Sequence, residues 1–126
     1  MLGFWIFMLI MCLLTPAIMI GFGEFFIKGG PKEINGTFGY RTKRSMKNQE
    51  TWKFAHQYSG KIWFRSGLAM LPISLVAMIF FYGKSVAVIG GAASIILILQ
   101  CIVMILVIPA TEAALKRNFD DNGKEV

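Results

Sequence analysis

Charged residues are absent from three long stretches of this chain. No Asp, Glu, Lys or Arg occurs at positions 2–23, 66–83 or 85–111. A helix rises about 1.5 Å per residue, so about 20 apolar residues cross a hydrocarbon core of about 30 Å. The first and third stretches exceed that length, and Trp63 and Phe64 extend the second into the membrane interface. The pattern predicts an all-α integral membrane protein, one membrane domain over residues 1–126, with three transmembrane helices at about 2–27, 64–83 and 85–109.

The cations lie almost entirely on one side of these predicted spans. Of the 13 Lys and Arg residues, nine lie in the connection 28–65, three in the tail 110–126 and one, Lys84, in the other connection. Because cytoplasmic loops are rich in Lys and Arg, the first connection and the C-terminus are expected in the cytoplasm and the N-terminus outside. This topology, with anionic lipid headgroups as partners, explains the net charge of +6, and no nucleic-acid binding is predicted.

The second half of the connection has a helical period. Over residues 45–64, Trp52 and Trp63 fall on the apolar side of a helical wheel, whereas charged residues and His56 fall on the polar, solvent side. Tryptophans opposite lysines are typical of a helix that lies in the membrane interface. The sequence therefore predicts a cytoplasmic interfacial amphipathic helix between the first and second spans, with Gly60 allowing a bend before the second.

The turn before this helix combines glycines with hydrogen-bonding side chains. Gly36 and Gly39 permit backbone conformations closed to other residues, and Thr42 or Ser45 is suited to cap the helix. Attraction to headgroups explains the lysines and arginines here but not the interspersed polar and aromatic residues. The candidate binding residues are Asn35, Gly39, Tyr40, Arg41, Thr42, Ser45, Asn48, Trp52 and, at the end of the third span, Glu112. We expect the Glu112 carboxylate to pair with Arg41.

The residue types argue against a metal site or a catalytic centre. His56 is the only histidine, and Cys12 and Cys101 both lie inside predicted spans. Neither a Gly-rich phosphate loop nor a dinucleotide fingerprint is present. We therefore predict a protein that is not an enzyme and uses no metal or cofactor.

Few polar groups lie within the spans. Gln100 is the only strongly polar side chain deep in the third span, whereas Glu24 and Glu112 lie at the rims. A transport path needs several such groups in series, so a small transporter or channel component is a weaker alternative. Small residues at 90–94 allow another helix to approach closely, from this chain or from a second copy. A homo-oligomer, or an accessory or structural subunit of a membrane complex, therefore stays open.

Two motifs resemble the SdpI family, named for a bacterial immunity protein against a secreted sporulation-delaying toxin. In the connection they are Pro31-Lys32-Glu33-Ile34-Asn35, Gly39-Tyr40-Arg41-Thr42, Ser45-Met46-Lys47-Asn48, Trp52 and Phe54-Ala55. In the tail they are Thr111-Glu112, Leu115, Phe119-Asp120 and Gly123. The chain resembles the C-terminal unit of that longer founding protein.

The resemblance implies a multi-pass protein of the bacterial cytoplasmic membrane. It further implies immunity to a membrane-active peptide toxin, or membrane-linked signalling in which a cytoplasmic repressor-like protein is held at the membrane. Our own hypothesis is that Asn35, Tyr40, Arg41, Asn48 and Trp52 build a folded cap against the cytoplasmic ends of the spans.

Overall fold

Three long helices account for most of the protein. The computed structural model describes residues 2–126 and contains α1 (Leu2–Ile27), α2 (Gln49–Phe80) and α3 (Val86–Asn118). Each helix is long enough and apolar enough to cross a membrane. Large apolar side chains such as Ile73, Val76 and Ile105 are exposed on the outside of the bundle, as expected where acyl chains surround a protein. The prediction of an all-helical protein with three helices suited to span a membrane is confirmed.

The connection between α1 and α2 is shorter than predicted because α2 begins early. α2 is one unbroken helix of 32 residues, about 48 Å long at about 1.5 Å per residue. The separate interfacial helix predicted over residues 45–64 is not formed: residues 49–64 are the first half of α2, and the described residues 28–48 contain no helix. α3 likewise continues past residue 109 to Asn118. The extra turns of both helices stand at the same end of the bundle, because α2 and α3 run antiparallel across the short turn 81–85.

Glycines bring α1 and α2 into backbone contact. A Cβ added to Gly23 would lie 2.7 Å from the amide nitrogen of Phe64, and one added to Gly60 would lie 2.8 Å from the carbonyl oxygen of Gly23. Gly67 makes the same kind of contact, 2.8 Å from the carbonyl oxygen of Pro16. Small residues allow such close packing, on which membrane helices depend. Gly60 therefore serves as a contact point with α1, and the predicted bend at this residue is wrong, since α2 runs through it without a break.

A polar cluster inside the bundle joins all three helices. Pro16 has no N–H, so within α1 the carbonyl oxygen of Cys12 loses its usual donor. The side-chain nitrogen of Gln100 in α3 donates to this oxygen over 2.7 Å and to the hydroxyl of Ser74 in α2 over 2.8 Å. All three residues are buried. Gln100 is thus held in place by structural hydrogen bonds, as membrane helices with proline require.

The small residues at 90–94 are only partly used within the chain. Ala93 is fully buried in a cluster with Cys12, Met78 and Ile89. A Cβ added to Gly91 would meet nothing within 4 Å. The close helix contact is therefore made by α1 and α2, and the association of this patch with a second copy stays a prediction.

Candidate functional site

Three parts of the chain meet where α1 ends, α2 begins and α3 ends. We call this assembly the cap: the connection 28–48, the first turns of α2 (residues 49–59) and residues 108–126. Its apolar centre contains Tyr40, Ala55, Leu115 and Phe119, with Phe54 packed against them. Because these residues come from the connection, α2 and the end of α3, the cap exists only when all three come together.

Asn35 forms a turn in the middle of the connection. Its Oδ1 accepts the N–H groups of Thr37 (3.0 Å) and Phe38 (2.7 Å), and its side-chain nitrogen donates to the carbonyl of Glu33. Asn favours turns because its side chain can bond the backbone two residues on. The turn directs the ring of Phe38 onto α1, where ring centroids of Phe22, Phe25 and Phe26 lie 5.8, 6.1 and 6.5 Å away. Asn35 therefore shapes the turn that docks the connection on α1.

His56 lies at the centre of the cap and is fully buried, so its prediction as a solvent-facing residue was wrong. Its Nε2 accepts the backbone N–H of Tyr40 over 2.9 Å, and its Nδ1 lies 2.8 Å from the carbonyl oxygen of Trp52. An acceptor at Nε2 requires the neutral ring with its proton on Nδ1, which then donates to Trp52. The connection crosses this face of α2, which a helical wheel of α2 alone cannot show.

Two glycines make room for the His56 ring. Gly30 and Gly39 have φ angles of +65° and +111°, a region that favours glycine. A Cβ on Gly39 would lie 2.6 Å from Nε2 of His56, and one on Gly30 would also overlap the ring. Gly39, predicted as a site residue, is thus required both for its backbone angle and for the approach to His56.

Tyr40 and Thr42 attach the connection to α3 through one carboxylate oxygen. The Tyr40 hydroxyl donates to Oε2 of Glu112 over 2.8 Å, and the Thr42 hydroxyl donates to the same oxygen over 2.9 Å. Burial, and next the hydrogen bond to Glu112, raise the pKa of the Tyr40 phenol above its ordinary value, so it stays a donor. Hydroxyl donors to an ionised carboxylate are among the stronger protein hydrogen bonds.

Arg41 does not pair with Glu112, and that prediction was wrong. Among residues 2–126 the salt bridges are Lys28–Glu24 and Arg44–Asp121, whereas Arg41 donates to the carbonyl of Gly36. Tyr40 and Thr42 both donate to Glu112, whereas Arg41 between them is exposed.

Ser45 and Asn48 shape the approach to α2. The Ser45 hydroxyl accepts the N–H of Thr42 (2.8 Å) and lies 3.1 Å from the carbonyl of Tyr40. Asn48, and not Ser45 or Thr42 as predicted, caps α2. Its Oδ1 accepts the N–H of Thr51 (2.9 Å) while the Thr51 hydroxyl accepts the N–H of Asn48 (3.1 Å). This is the reciprocal capping arrangement typical of helix N-termini, and it frees Ser45 and Thr42 for the turn.

The tail closes the cap by folding back onto Asn48. The side-chain nitrogen of Asn48 donates to the carbonyl of Gly123 over 2.6 Å. Gly123 has a φ of +82°, and a Cβ there would lie 2.7 Å from that nitrogen. Asp120 shapes the turn, since its Oδ1 accepts the N–H groups of Asn122 and Lys124, each over 2.9 Å. The tail motif is therefore the packing partner of the motif in the connection.

Trp52 fastens the start of the connection to α2. It is fully buried, and its indole N–H donates to the carbonyl of Pro31 over 2.6 Å. Its ring centroid lies 4.4 Å from that of His56. Buried tryptophans need such a partner for the N–H, and Pro31 supplies it just after α1 ends.

The structure brings eight of the nine predicted residues into direct support of the cap and leaves Arg41 at its surface. Sequence reasoning missed His56, Thr51 and the pairing of Gly30 with Gly39. The signal for Thr51 was present, because Asn48 followed three residues later by a hydroxyl residue fits a capping pair. The paired groups hold the cap together. Among its exposed charged side chains, cations outnumber acids by nine to five, and the cations include Lys43, Lys47, Lys53, Lys116 and Arg117. No group of three or more His, Cys, Asp or Glu suited to a metal occurs within residues 2–126.

The comparisons with known proteins concern the same part of the chain. The model of the SdpI/YfhL protein family matches residues 32–111, more than half of the chain. The chain is also 44% identical over 46 residues to an uncharacterized protein, YfhL, of Bacillus subtilis (strain 168). That alignment covers 36% of this chain and 42% of the relative, so the chain spans less than half of the relative's length in the match. No solved structure matches this chain. The family match begins in the connection and ends in α3, one residue before Glu112. The chain therefore belongs to the SdpI/YfhL family of membrane proteins.

Proposed function

We propose that this protein acts in the bacterial cytoplasmic membrane, in immunity to a membrane-active peptide toxin or in signalling from the membrane, and that the cap is the part that acts. The observation that supports the proposal is the convergence of both motifs into one folded cap bonded to all three helices. Phe38 packs on α1, the Tyr40 N–H bonds His56 of α2, and the Tyr40 hydroxyl bonds Glu112 of α3.

This connectivity suits signalling because a shift of any one helix moves a residue of the cap. Packed elements transmit such displacements since their interiors are dense. A peptide that binds the lipid-facing side of a helix and displaces that helix would therefore also displace residues at the surface of the cap. The partner proposed there is a cytoplasmic repressor-like protein, and the exposed cations of the cap favour an acidic surface on that partner.

The orientation that this function needs is a cytoplasmic cap. The cap side of the bundle carries twelve of the 13 Lys and Arg residues, and Lys84 is the one in the other connection. The positive-inside rule places the cationic side in the cytoplasm. Reporter fusions at the C-terminus and at the turn 81–85 test this: activity of a cytoplasmic reporter at the turn would contradict the proposed orientation.

The proposed function is tested by deleting the gene and challenging the cells with a panel of membrane-active peptides. We expect the deletion to increase sensitivity to at least one peptide and wild-type protein to restore resistance. Glu112→Ala, which removes the acceptor of Tyr40 and Thr42, should fail to restore it although the protein reaches the membrane. Ala113→Ser, at the exposed neighbouring position, is the matched control and should restore resistance. Equal sensitivity of deletion and wild-type cells to the whole panel, with unchanged transcription in the deletion strain, would exclude both roles.

A further inference from the structure

A cavity of about 330 Å³ lies between the cap and the groove formed by α2 and α3. Its walls include Phe26 of α1, Trp63 of α2 and Met104, Ile105 and Ile108 of α3, and its cap side is formed by residues 39–42. This volume falls within the range of about 300 to 1,000 Å³ typical of small-molecule sites. The wall is held in shape by the Trp63 indole N–H, which donates to the carbonyl of Met104 over 3.2 Å.

The cavity opens sideways towards the bilayer. Ile105 and Ile108 line it and are 62% and 46% exposed on the lipid-facing side of α3. α3 is one of the helices suited to cross a membrane, so acyl chains are the neighbours of this opening. An acyl chain that enters the cavity from the membrane leaves one apolar environment for another, so the hydrophobic effect does not favour its binding. Binding therefore depends on the fit of the acyl chain to the cavity and on contacts at the polar end of the cavity.

The polar end of the cavity presents a cation. Arg41 lines this end and is exposed, with one guanidinium nitrogen donating to Gly36 and no salt bridge among residues 2–126. The hydroxyls of Tyr40 and Thr42 are already committed to Glu112. Guanidinium groups bind phosphate through paired N–H donors. The N–H groups of Arg41 that do not bond Gly36 therefore favour an anion at this end of the cavity.

We propose that this cavity binds one anionic phospholipid of the cap-side leaflet, with an acyl chain against Trp63 and Ile105 and its phosphate on Arg41. A phospholipid matches both ends of the cavity, whereas a zwitterionic headgroup would bring its own cation close to Arg41. The site is distinct from general attraction of the cap to headgroups, because it needs the apolar walls as well as the charge. It goes beyond the proposed function and holds whether or not the protein gives immunity.

The test is native mass spectrometry of the full chain released from micelles that contain equal amounts of phosphatidylglycerol and phosphatidylcholine. We expect one phosphatidylglycerol to be retained in preference to phosphatidylcholine. Arg41→Gln should lower its retention about fivefold, the effect of one cation at an anionic lipid. Lys43→Gln removes the same charge from an exposed residue of the connection that does not line the cavity, and should change retention far less.

A second pair of variants tests the apolar walls. Ile105→Trp fills the cavity and should abolish the preferential retention, whereas Leu106→Trp, at a neighbouring exposed position outside the cavity, should preserve it. Circular dichroism in the same micelles shows which variants fold, and the Ile105 and Leu106 pair decides the matter if Arg41→Gln does not fold. If the two variants of each folded pair, Arg41→Gln with Lys43→Gln and Ile105→Trp with Leu106→Trp, retained phosphatidylglycerol equally, that result would overturn the proposal. So would a change in oligomer mass with Ile105→Trp and no change in bound lipid, because a second copy would then occupy the groove.

Discussion

Gln100 supplies the hydrogen bond that Pro16 withholds from the carbonyl oxygen of Cys12. The donor lies on α3 and the acceptor on α1, 2.7 Å apart and both buried. A carbonyl left without a donor inside the bundle has no water to bond and costs free energy. The glutamine and the proline therefore form one structural unit although they are far apart in the sequence.

This relationship predicts a specific non-additivity. Gln100→Leu should lower the free energy of unfolding in micelles by about 1–2 kcal/mol, the scale of hydrogen bonds between membrane helices. Pro16→Ala restores an N–H for Cys12, so Gln100→Leu should cost less in that background. The same cost in both backgrounds would show that Gln100 does not serve this carbonyl.

The contact between α1 and α2 predicts that Gly60 tolerates no side chain. Gly60→Ala would place a Cβ 2.8 Å from the carbonyl oxygen of Gly23 and 2.8 Å from the nitrogen of Ile27. Overpacking of this kind costs about 1–3 kcal/mol, which thermal unfolding in micelles would measure. Gly21→Ala is the matched control, since a Cβ there meets nothing within 4 Å. Similar stability losses in both variants would contradict the backbone contact.

His56 is predicted to carry its proton on Nδ1. Nitrogen NMR of the imidazole should show a protonated Nδ1 and an unprotonated Nε2, since Nε2 accepts from Tyr40. His56→Leu should destabilise the protein by about 1–3 kcal/mol, because it leaves the buried N–H of Tyr40 without an acceptor. Gln57→Leu, at the next and less buried position, serves as the control. A proton on Nε2 would be incompatible with the bond to Tyr40.

The raised pKa of Tyr40 predicts a change in stability at alkaline pH. A phenol ordinarily ionises with a pKa of about 10, and Tyr40 in the folded protein ionises above that value. The unfolded chain therefore loses this proton first, so the contribution of Tyr40 is complete below about pH 10 and is lost as the pH rises further. Wild-type protein should lose stability more steeply above about pH 10 than Tyr40→Phe does. If the stabilities of wild-type protein and Tyr40→Phe fell in parallel above about pH 10, that result would contradict the burial of the phenol.

The spans were predictable because they depend on composition along the chain, whereas the contacts of the cap depend on partners distant in sequence. Three charge-free stretches sufficed to predict α1, the second half of α2 and most of α3. The sequence suggests a bend at Gly60, because the contact of this residue with Gly23 forms only when the two helices pack together. The helical wheel of α2 predicts that His56 faces solvent, because it contains no information about the connection that crosses this face of the helix.

Candidate residues were easier to select than to connect. Both motifs drew attention to Tyr40, Arg41, Thr42 and Glu112, and the structure does bring three of them together. Opposite charge favours Arg41 as the partner of Glu112, whereas the contacts are made by the neutral hydroxyls of Tyr40 and Thr42. Which of these three neighbouring side chains reaches Glu112 depends on the path of the connection over α3, which the residue types at 40–42 do not determine.

The central claim is that the connection docks on α3 through Glu112, and a double-mutant cycle of Tyr40→Phe with Glu112→Gln tests it most directly. Unfolding free energies of the four proteins in the same micelles give the coupling between the two side chains, with Arg41→Gln and Glu112→Gln as the matched control cycle. We predict a coupling of about 0.5–2 kcal/mol for Tyr40 with Glu112, within the range for contacting residues, and a smaller one for Arg41 with Glu112. No coupling for Tyr40, with clear coupling for Arg41, would contradict the account.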